Sequence, residues 1–488
     1  MYYMQINLFN DQNRLVNKAR ASIGSGCTRL LIQAATGCGK SVMGTYMIQQ
    51  ANLRGNSCAF VVPRRELLSQ MAETWYKFGV NYSYVASGLF HDPQSENHIC
   101  SMQTLIKRPE VINPKILFID ETHYATTQLK RIAEYYAERG TIIIGLSATP
   151  WRMNGKGLGD IYSDMVEGET VRWLIDNKRL SQYEMFGVSS PDFSGIKTSN
   201  GEYQKKQMDE RMEQDRVLIG DAVGHYKKHA NGKLNVVFCQ SIKHSKITAQ
   251  AFKDAGIPAA HMDAETPSHI RRQMIQDYAD RKLHVLTNVD LMCFGFDLAS
   301  QVGRDVTVEC MSDLRPTQSL ALQMQKWGRV LRYKDYPALI FDHANNFKKH
   351  GAPCWDRDWT LADRNRKQRK EAEEEADEKQ RQCEFCFHIH EPAPKCPKCG
   401  FVYPVRERNI EEIDGDLEKI EIKQQRRREE YMCETLEDWE GLAKERGHSE
   451  DWAKVRRSMQ VKKEQQAATR RAEKLAAKLN KPQGDLFG

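Results

Sequence analysis

One stretch constrains this chain more than any other: Leu30-Leu31-Ile32-Gln33-Ala34-Ala35-Thr36-Gly37-Cys38-Gly39-Lys40-Ser41. Its first part is an apolar run of the kind that forms a buried strand, followed by small residues and then a helical pattern. Strand, small-residue loop and helix in that order let backbone N–H groups turn inward around an anion, and the positive end of the helix adds to the attraction. In that setting Thr36, Gly37 and Gly39 form the cradle and Lys40 places a point charge on the β- and γ-phosphates of a nucleotide. Ser41 offers a hydroxyl ligand to Mg²⁺. The usual first glycine of such a loop is here Ala34. The plainer alternative is a glycine-bearing strand-to-helix turn that holds nothing.

At 488 residues the chain has room for two or three compact domains, because single cores stop growing at about 250–300 residues. The net charge of +7 is modest, and where the bases lie matters more than their sum. Met1-Tyr2-Tyr3-Met4-Gln5 lacks the basic start and apolar core of a signal peptide. No apolar run approaches the ~18 residues that span a bilayer, so a cytoplasmic protein with no membrane partner is expected. There the 13 cysteines are expected as free thiols or metal ligands rather than disulfides.

Ahead of the loop, Gln12 opens a helical stretch and can read an adenine edge with one carboxamide, although a surface glutamine at a helix start fits the spacing equally well. Apolar runs follow at 58–62, 116–119 and 141–146, separated by helical patterns, the rhythm of a parallel sheet. The second run ends in Asp120-Glu121-Thr122-His123. Adjacent carboxylates at a buried strand end are costly unless a cation compensates them. A Mg²⁺–nucleotide complex supplies one: Asp120 then holds the metal, and Glu121 orients and deprotonates a water. The third run ends in Ser147-Ala148-Thr149-Pro150.

Phosphate loop, Asp-Glu-x-His and Ser-Ala-Thr in this order resemble motifs I, II and III of the superfamily 2 helicases of the DEAD/DEAH type. The resemblance continues in a second α/β rhythm, with strands at 236–240 and 285–288. Gly295-Phe296-Asp297 is similar to motif V, and Gln325-Lys326-Trp327-Gly328-Arg329-Val330-Leu331-Arg332 to motif VI. It implies two tandem RecA-like lobes with ATP between them, Asp297 near the ribose and Thr287 near a nucleic-acid phosphate. Ser147 and Thr149 of motif III would couple nucleotide state to the nucleic acid, together with His123 of motif II and Gln325 of motif VI. Arg64 and Arg65, after the strand 58–62, and the Ser101-Met102-Gln103-Thr104 element would contact the backbone. Arg64 and Arg65 could equally cap a sheet edge. Two arginines three apart share a helix face, so Arg329 and Arg332 are the candidates to reach a γ-phosphate across the cleft. The chain further resembles bacterial RadD-type repair helicases and phage-encoded helicases, which share the 338–343 strand and a cysteine module after the second lobe. Thr122 in motif II and Trp327 in motif VI depart from the family pattern without removing a charge.

The expected layout is thus an α/β pair of lobes at 1–200 and 201–350, then a charged linker at 351–382. Gly155, Gly157 and Gly159 read as a mobile loop. Cys383-x-x-Cys386 and Cys396-x-x-Cys399 have the spacing of a tetrahedral, closed Zn²⁺ site, a zinc ribbon over 383–404. The region 405–480 is polar and helix-prone, with Trp439, Leu442, Trp452 and Val455 as apolar anchors. From 453 to 481 ten Lys/Arg face two Glu, which suits a phosphate backbone or simply a solvated helix. The tail at 481–488 carries Gln483, Leu486 and Phe487, similar to peptides that dock on the sliding clamp in bacteria. Together these imply an ATP-dependent DNA helicase or translocase of replication, recombination or repair in a bacterium or phage. An RNA helicase, and a DNA- and clamp-binding ATPase adaptor, are the alternatives.

Overall fold

The computed structural model describes residues 5–403 except 125–126, 153, 188–195, 197, 200–201, 205–206, 210–215, 294–297 and 364–378, and beyond them 433, 435–446, 451, 453–455 and 457–458. Runs such as Cys58-Ala59-Phe60-Val61-Val62 are apolar throughout because helices cover both faces of a parallel sheet, and every residue of that strand is buried. The first sheet contains β1 (Arg29–Gln33), β2 (Cys58–Val62), β3 (Ser83–Val85), β4 (Asn97–Ser101), β5 (Ile116–Ile119), β6 (Ile142–Ser147) and β7 (Asp164–Glu167). They lie in the order β3-β4-β2-β5-β6-β1-β7, all parallel. Helix α1 (Asn10–Gly24) precedes β1, and α2 (Lys40–Asn52) follows it.

After β8 (Tyr183–Gly187) and a two-residue-per-strand hairpin, β9 (Thr198–Ser199) and β10 (Glu202–Tyr203), come β11 (Asn235–Phe238), β12 (Ala259–Met262), β13 (Val285–Asn288), β14 (Cys310–Asp313) and β15 (Ala338–Asp342). The second sheet runs β12-β13-β11-β14-β15-β8 in parallel. Helices α3 (Arg216–His229), α4 (Ile242–Asp254) and α5 (Leu320–Val330) belong to this lobe. Two parallel-sheet α/β lobes are what the motifs imply. One apolar cluster is continuous across them, from Phe60, Phe118 and Leu146 to Leu322 and Trp327. Each such side chain, fully buried, contributes about 1.5–3 kcal/mol.

Three features differ from the layout expected above. Strand β8, inside the 1–200 span, pairs with β15 of the second sheet, so the chain has already crossed between lobes by Ser181, whose N–H donates to Leu331 O at 2.9 Å. The cysteine module also extends that same sheet. Its hairpin, β16 (Arg381–Gln382) and β17 (His388–His390), lies antiparallel on β8, covering what would otherwise be an unpaired edge. Lys398 Nζ holds Glu184 at 2.7 and 2.8 Å.

The third difference is the glycine-bearing segment. Leu158, Ile161 and Tyr162 are buried, and residues of the expected linker run back from the second lobe to lie on it. Gly159 N donates to Leu361 O at 2.9 Å, Gly157 N donates to Asp363 Oδ1 at 2.8 Å, and the Trp151 and Trp359 rings meet at 4.9 Å. A Cβ on Gly157 would fall 2.0 Å from Leu361 O. These glycines admit a second backbone; they do not loosen the loop.

Residues 404–488 form a second unit. Its α6 (Leu436–Glu445) is capped by Thr435 and Asp438 and buries Trp439, Leu442 and Ala443 with Cys433 and Ala453; Val455 is exposed. Trp452 and residues 459–488, with Gln483, Leu486 and Phe487, lie outside the described residues. No helix among the described residues is long and apolar enough to cross a membrane. The strap contact makes Gly157→Ala an overpacking change that should cost about 1–3 kcal/mol, read as a thermal midpoint several degrees lower. Gly24→Ala, where a Cβ meets nothing within 4 Å, should leave the midpoint unchanged or raise it.

Candidate functional site

The phosphate loop forms where β1 ends. Ala34, in the place of the usual glycine, is buried and its N–H donates to Ser147 O at 2.9 Å, tying the start of the loop to the end of β6. Gly37 and Gly39 take left-handed φ of 86° and 90°, conformations that side chains disfavour. A Cβ on Gly39 would also strike Gln12 Nε2 at 2.6 Å. Lys40 is the first residue of α2, buried, with Nζ 3.4 Å from Ala34 O; half-buried Ser41 follows it. Gln12 is held at both ends of its amide: Nε2 donates to Cys38 O at 2.7 Å, and Oε1 accepts from Phe9 N at 3.0 Å. The structure thus places Gln12 as a brace on the loop.

Asp120 and Glu121 leave the end of β5 into the same buried space, Glu121 with a φ of 46°. Burial, then the Glu121 carboxylate, push the Asp120 carboxyl up to about 7 against the pull of Lys40. Burial acts on Glu121 in the same sense, but Lys40, His123, Arg329 and Gln325 outweigh it and hold this carboxyl below its ordinary range. Burial drives the His123 imidazole down to about 4, against the attraction of Glu121, so the ring is neutral near pH 7.

That neutrality fixes a chain of hydrogen bonds between the lobes. Tyr124 OH donates to Gln325 Oε1 at 2.9 Å, so the Gln325 amide nitrogen faces His123 Nε2 at 3.2 Å and donates to it. His123 Nδ1–H then donates to Ser147 Oγ at 3.0 Å, with Glu121 Oε2 at 3.3 Å. Ser147 Oγ in turn donates to Thr149 O at 2.6 Å, and Thr149 Oγ1 to Trp151 O at 3.1 Å. One turn of α5 also packs directly on the loop: Thr36 Oγ1 donates to Met324 O at 2.9 Å, and a Cβ on Gly328 would meet Thr36 at 2.4 Å. Arg329 is half-buried on this helix. Arg332 follows the last residue of α5, Val330, by two; it is exposed and its backbone bridges to Leu180.

Sequence reading missed what anchors α5. Lys326 Nζ, fully buried, contacts both Asp313 oxygens at 2.8 and 2.7 Å and Arg315 O at 3.1 Å. Gln323 and Asn346 add bonds to Asp313 Oδ2 at 3.0 Å. A lysine just ahead of two motif arginines looks like surface charge in a sequence, and Asp313 looks like the end of a strand. The two departures from the family pattern fill core: Thr122 pairs with Tyr162 OH at 2.7 Å, and Trp327 is buried.

On the candidate nucleic-acid side, Arg64 and Arg65 are exposed after β2. Gln103 ties the neighbouring element to them, donating to Pro63 O at 2.9 Å, and Thr104 is half-buried. Thr287 is fully buried and its hydroxyl donates to Ser245 O at 2.9 Å. Ser245 in turn contacts His261 Nδ1 at 2.7 Å, and His261 Nε2 contacts Asp263 at 3.0 Å. Asp297 lies outside the described residues. Cys383, Cys386, Cys396 and Cys399 bring their sulfurs within 4.8 Å of one another, with Cys383–Cys399 at 3.6 Å and Cys386–Cys396 at 3.7 Å. Zn–S bonds of about 2.3 Å give a tetrahedron with edges of about 3.8 Å, so the donor set fits zinc. His390 faces Tyr403 OH at 2.8 Å instead.

Family models for the res subunit of type III restriction enzymes and for the helicase conserved C-terminal domain match residues 5–152 and 216–334. The 51.5 kDa protein of Lactococcus phage (isolate 7-9) is 32% identical over 83% of this chain and 82% of its own length. Irc3 of Schizosaccharomyces pombe, named as a mitochondrial ATP-dependent helicase, is 25% identical over 69% of this chain; the match spans 57% of irc3. Among solved structures, a fragment described as an HsdR subunit of a type I restriction enzyme from Vibrio vulnificus YJ016 shares the fold, with a TM-score of 0.53 and 18% identity over 72% of this chain and 68% of that one. The DNA-bound type ISP enzyme LlaBIII does so at a TM-score of 0.51 and 13% identity, over 76% of this chain and 30% of that one.

The raised Asp120 carboxyl has a measurable sign. With a folded value near 7 against about 4 unfolded, the folded state binds more protons between those limits, so its stability falls as pH rises through them. Nucleotide-free Asp120→Asn should therefore melt above wild type at about pH 8 and lose that advantage by about pH 4. Equal melting at both pH values would contradict the assignment.

Proposed function

Since the chain belongs to the superfamily 2 helicases, ATP-hydrolysing enzymes built on two such lobes, we propose that it is a DNA helicase or translocase acting in replication, recombination or repair. The observation that carries this reading is the bridge from His123 and Tyr124 of one lobe to Gln325 of the other, which makes the state of the nucleotide site and the closure of the lobes one event. DNA rather than RNA is favoured by the match to the restriction-enzyme family and by the DNA-acting relatives on this fold.

In this mechanism the loop amides of Thr36, Gly37 and Gly39 and the ammonium of Lys40 bind the β- and γ-phosphates, with Gln12 bracing the loop from behind. Ser41 and Asp120 would hold Mg²⁺, whose charge would offset the cost of burying the Asp120 carboxylate beside Glu121. The metal, when bound, neutralises charge that builds on the phosphates. Glu121, kept ionised by Lys40 and Arg329, accepts the proton of the attacking water. His123 holds it in place, its tautomer set from the second lobe. Arg329 faces the same site and would stabilise the charge that develops, with Arg332 as the second candidate. After hydrolysis that attraction is lost and the lobes can part. Arg64, Arg65 and Thr104 would meet the strand on the first lobe. Thr287 would lie near the strand on the second lobe. The four cysteines would hold zinc as a structural cross-link of the hairpin on β8.

ATP turnover is the direct test. Single-stranded or forked DNA should stimulate wild type, Lys40→Ala should abolish turnover, and Glu121→Gln should lower it by about 10²–10⁴-fold while ATP still binds. Stimulation by RNA alone would reassign the polymer. Turnover without strand displacement or movement would leave an ATP-switched DNA-binding adaptor.

A further inference from the structure

Outside the cleft between the lobes, a cavity of about 280 Å³ lies where the cysteine hairpin meets α3 and the ends of β8 and β15. Pockets for drug-sized ligands run about 300–1,000 Å³, so this one suits a single ring system. Its walls are aromatic. Phe186 stacks on Phe341 at 5.6 Å and on the His229 ring at 5.2 Å. Phe387 enters from the cysteine knuckle with a φ of 61° and stays 39% exposed. A left-handed backbone under a bulky side chain is strained, and strain of this kind concentrates at functional positions.

Among the described residues, His225 Nδ1 finds no hydrogen-bond partner, and neither ring nitrogen of His343 does, a completely buried side chain whose ring packs against His225 at 5.5 Å. Burial lowers both imidazoles, His343 to about 3, so each keeps one donor and one acceptor. An unpaired buried polar group costs about 1–3 kcal/mol unless something completes it. The charged groups in the lining are Lys228 and Asp221, one suited to a phosphate and the other to an exocyclic amine.

Position ties the cavity to the nucleic-acid side. Thr287, Val237, Ser312, Phe341 and Phe186 are successive register partners across the sheet, so Phe341 lies in the row of Thr287, three strands away. At about 4.8 Å per strand this is roughly 14 Å, a span that a few nucleotides cover. We propose that this cavity holds one unstacked nucleobase of the bound strand, its face on Phe387, its edge toward His225, and its phosphate on Lys228. The docked cysteine hairpin then completes a nucleic-acid site, beyond covering the edge of a sheet. The inference rests on the nucleic-acid motor proposed above, and commits to a nucleobase whether the polymer is DNA or RNA.

The test uses the full zinc-loaded chain and single-stranded DNA and RNA oligonucleotides carrying one abasic site moved along the strand. Stacking of one base on aromatic side chains is worth about 5- to 100-fold in affinity, so wild type should show one position where the abasic site weakens binding by that factor. Phe387→Ala should remove this penalty. Gly224→Leu should remove it without touching the hairpin, because Gly224 lines the cavity and a Cβ there meets nothing within 4 Å. Zinc content and thermal unfolding check that both variants fold. An unchanged penalty in both variants, or no penalised position in wild type, overturns the pocket alone. Failure of wild type to bind either polymer overturns the pocket together with the motor reading.

Discussion

The structure turns on Gln325, whose amide lies between Tyr124 and His123 of the opposite lobe. Around it, Glu121 is ionised in a buried site because Lys40 on its own lobe and Arg329 on the other offset the cost of burial. In a low-dielectric cleft such attractions are strong, and water weakens them sharply. Parting the lobes would remove Arg329, flood the site and release the His123 tautomer together. The chemistry of the acid pair is therefore available only in the closed arrangement. In the proposed mechanism, loss of a γ-phosphate would withdraw the partner of Arg329 and give that arrangement a reason to end.

Closure also needs α5 to be rigid, and the buried Lys326–Asp313 pair serves that end. Such pairs stabilise little against an apolar replacement, but losing one partner costs about 3–5 kcal/mol, which fixes the register of the helix strongly. The strap at 351–363 adds a second link, from the second lobe to the segment that follows Thr149. Thr149 itself bonds to Trp151, and Trp151 to Trp359 by ring contact. Motif III thus has one neighbour in the nucleotide site, through Ser147, and another in the chain leaving the second lobe. That is the placement a coupling element needs.

Much of the fold was legible because parallel strands buried on both faces read as uninterrupted apolar runs: 58–62, 116–119 and 285–288 are strands at nearly those limits. What could not be read were partnerships. Tyr183-Glu184-Met185-Phe186-Gly187 is an ordinary strand sequence, and nothing in it says that it leaves one lobe for the other or that a cysteine hairpin will cover its edge. Gly157 and Gly159 look like flexibility until the backbone that fills their missing side chains is seen, 206 residues away in the case of Asp363. At the site, the motif residues Lys40, Asp120, Glu121, His123 and Gln325 converge as their order suggests. Arg332 stands two residues beyond the last residue of α5, Val330, with its backbone bridged to Leu180, a pairing that spacing alone does not show. Gln12 is a brace because both ends of its amide are already bonded, which only coordinates reveal.

The most direct measurement is ATP turnover of Gln325→Ala beside wild type, with and without saturating nucleic acid, together with ATP affinity. If the bridge couples closure to chemistry, the variant keeps its ATP affinity and its unstimulated rate within a few-fold while polymer stimulation collapses. Full stimulation in the variant would show that the lobes communicate by another route, and would contradict a coupling carried by Gln325.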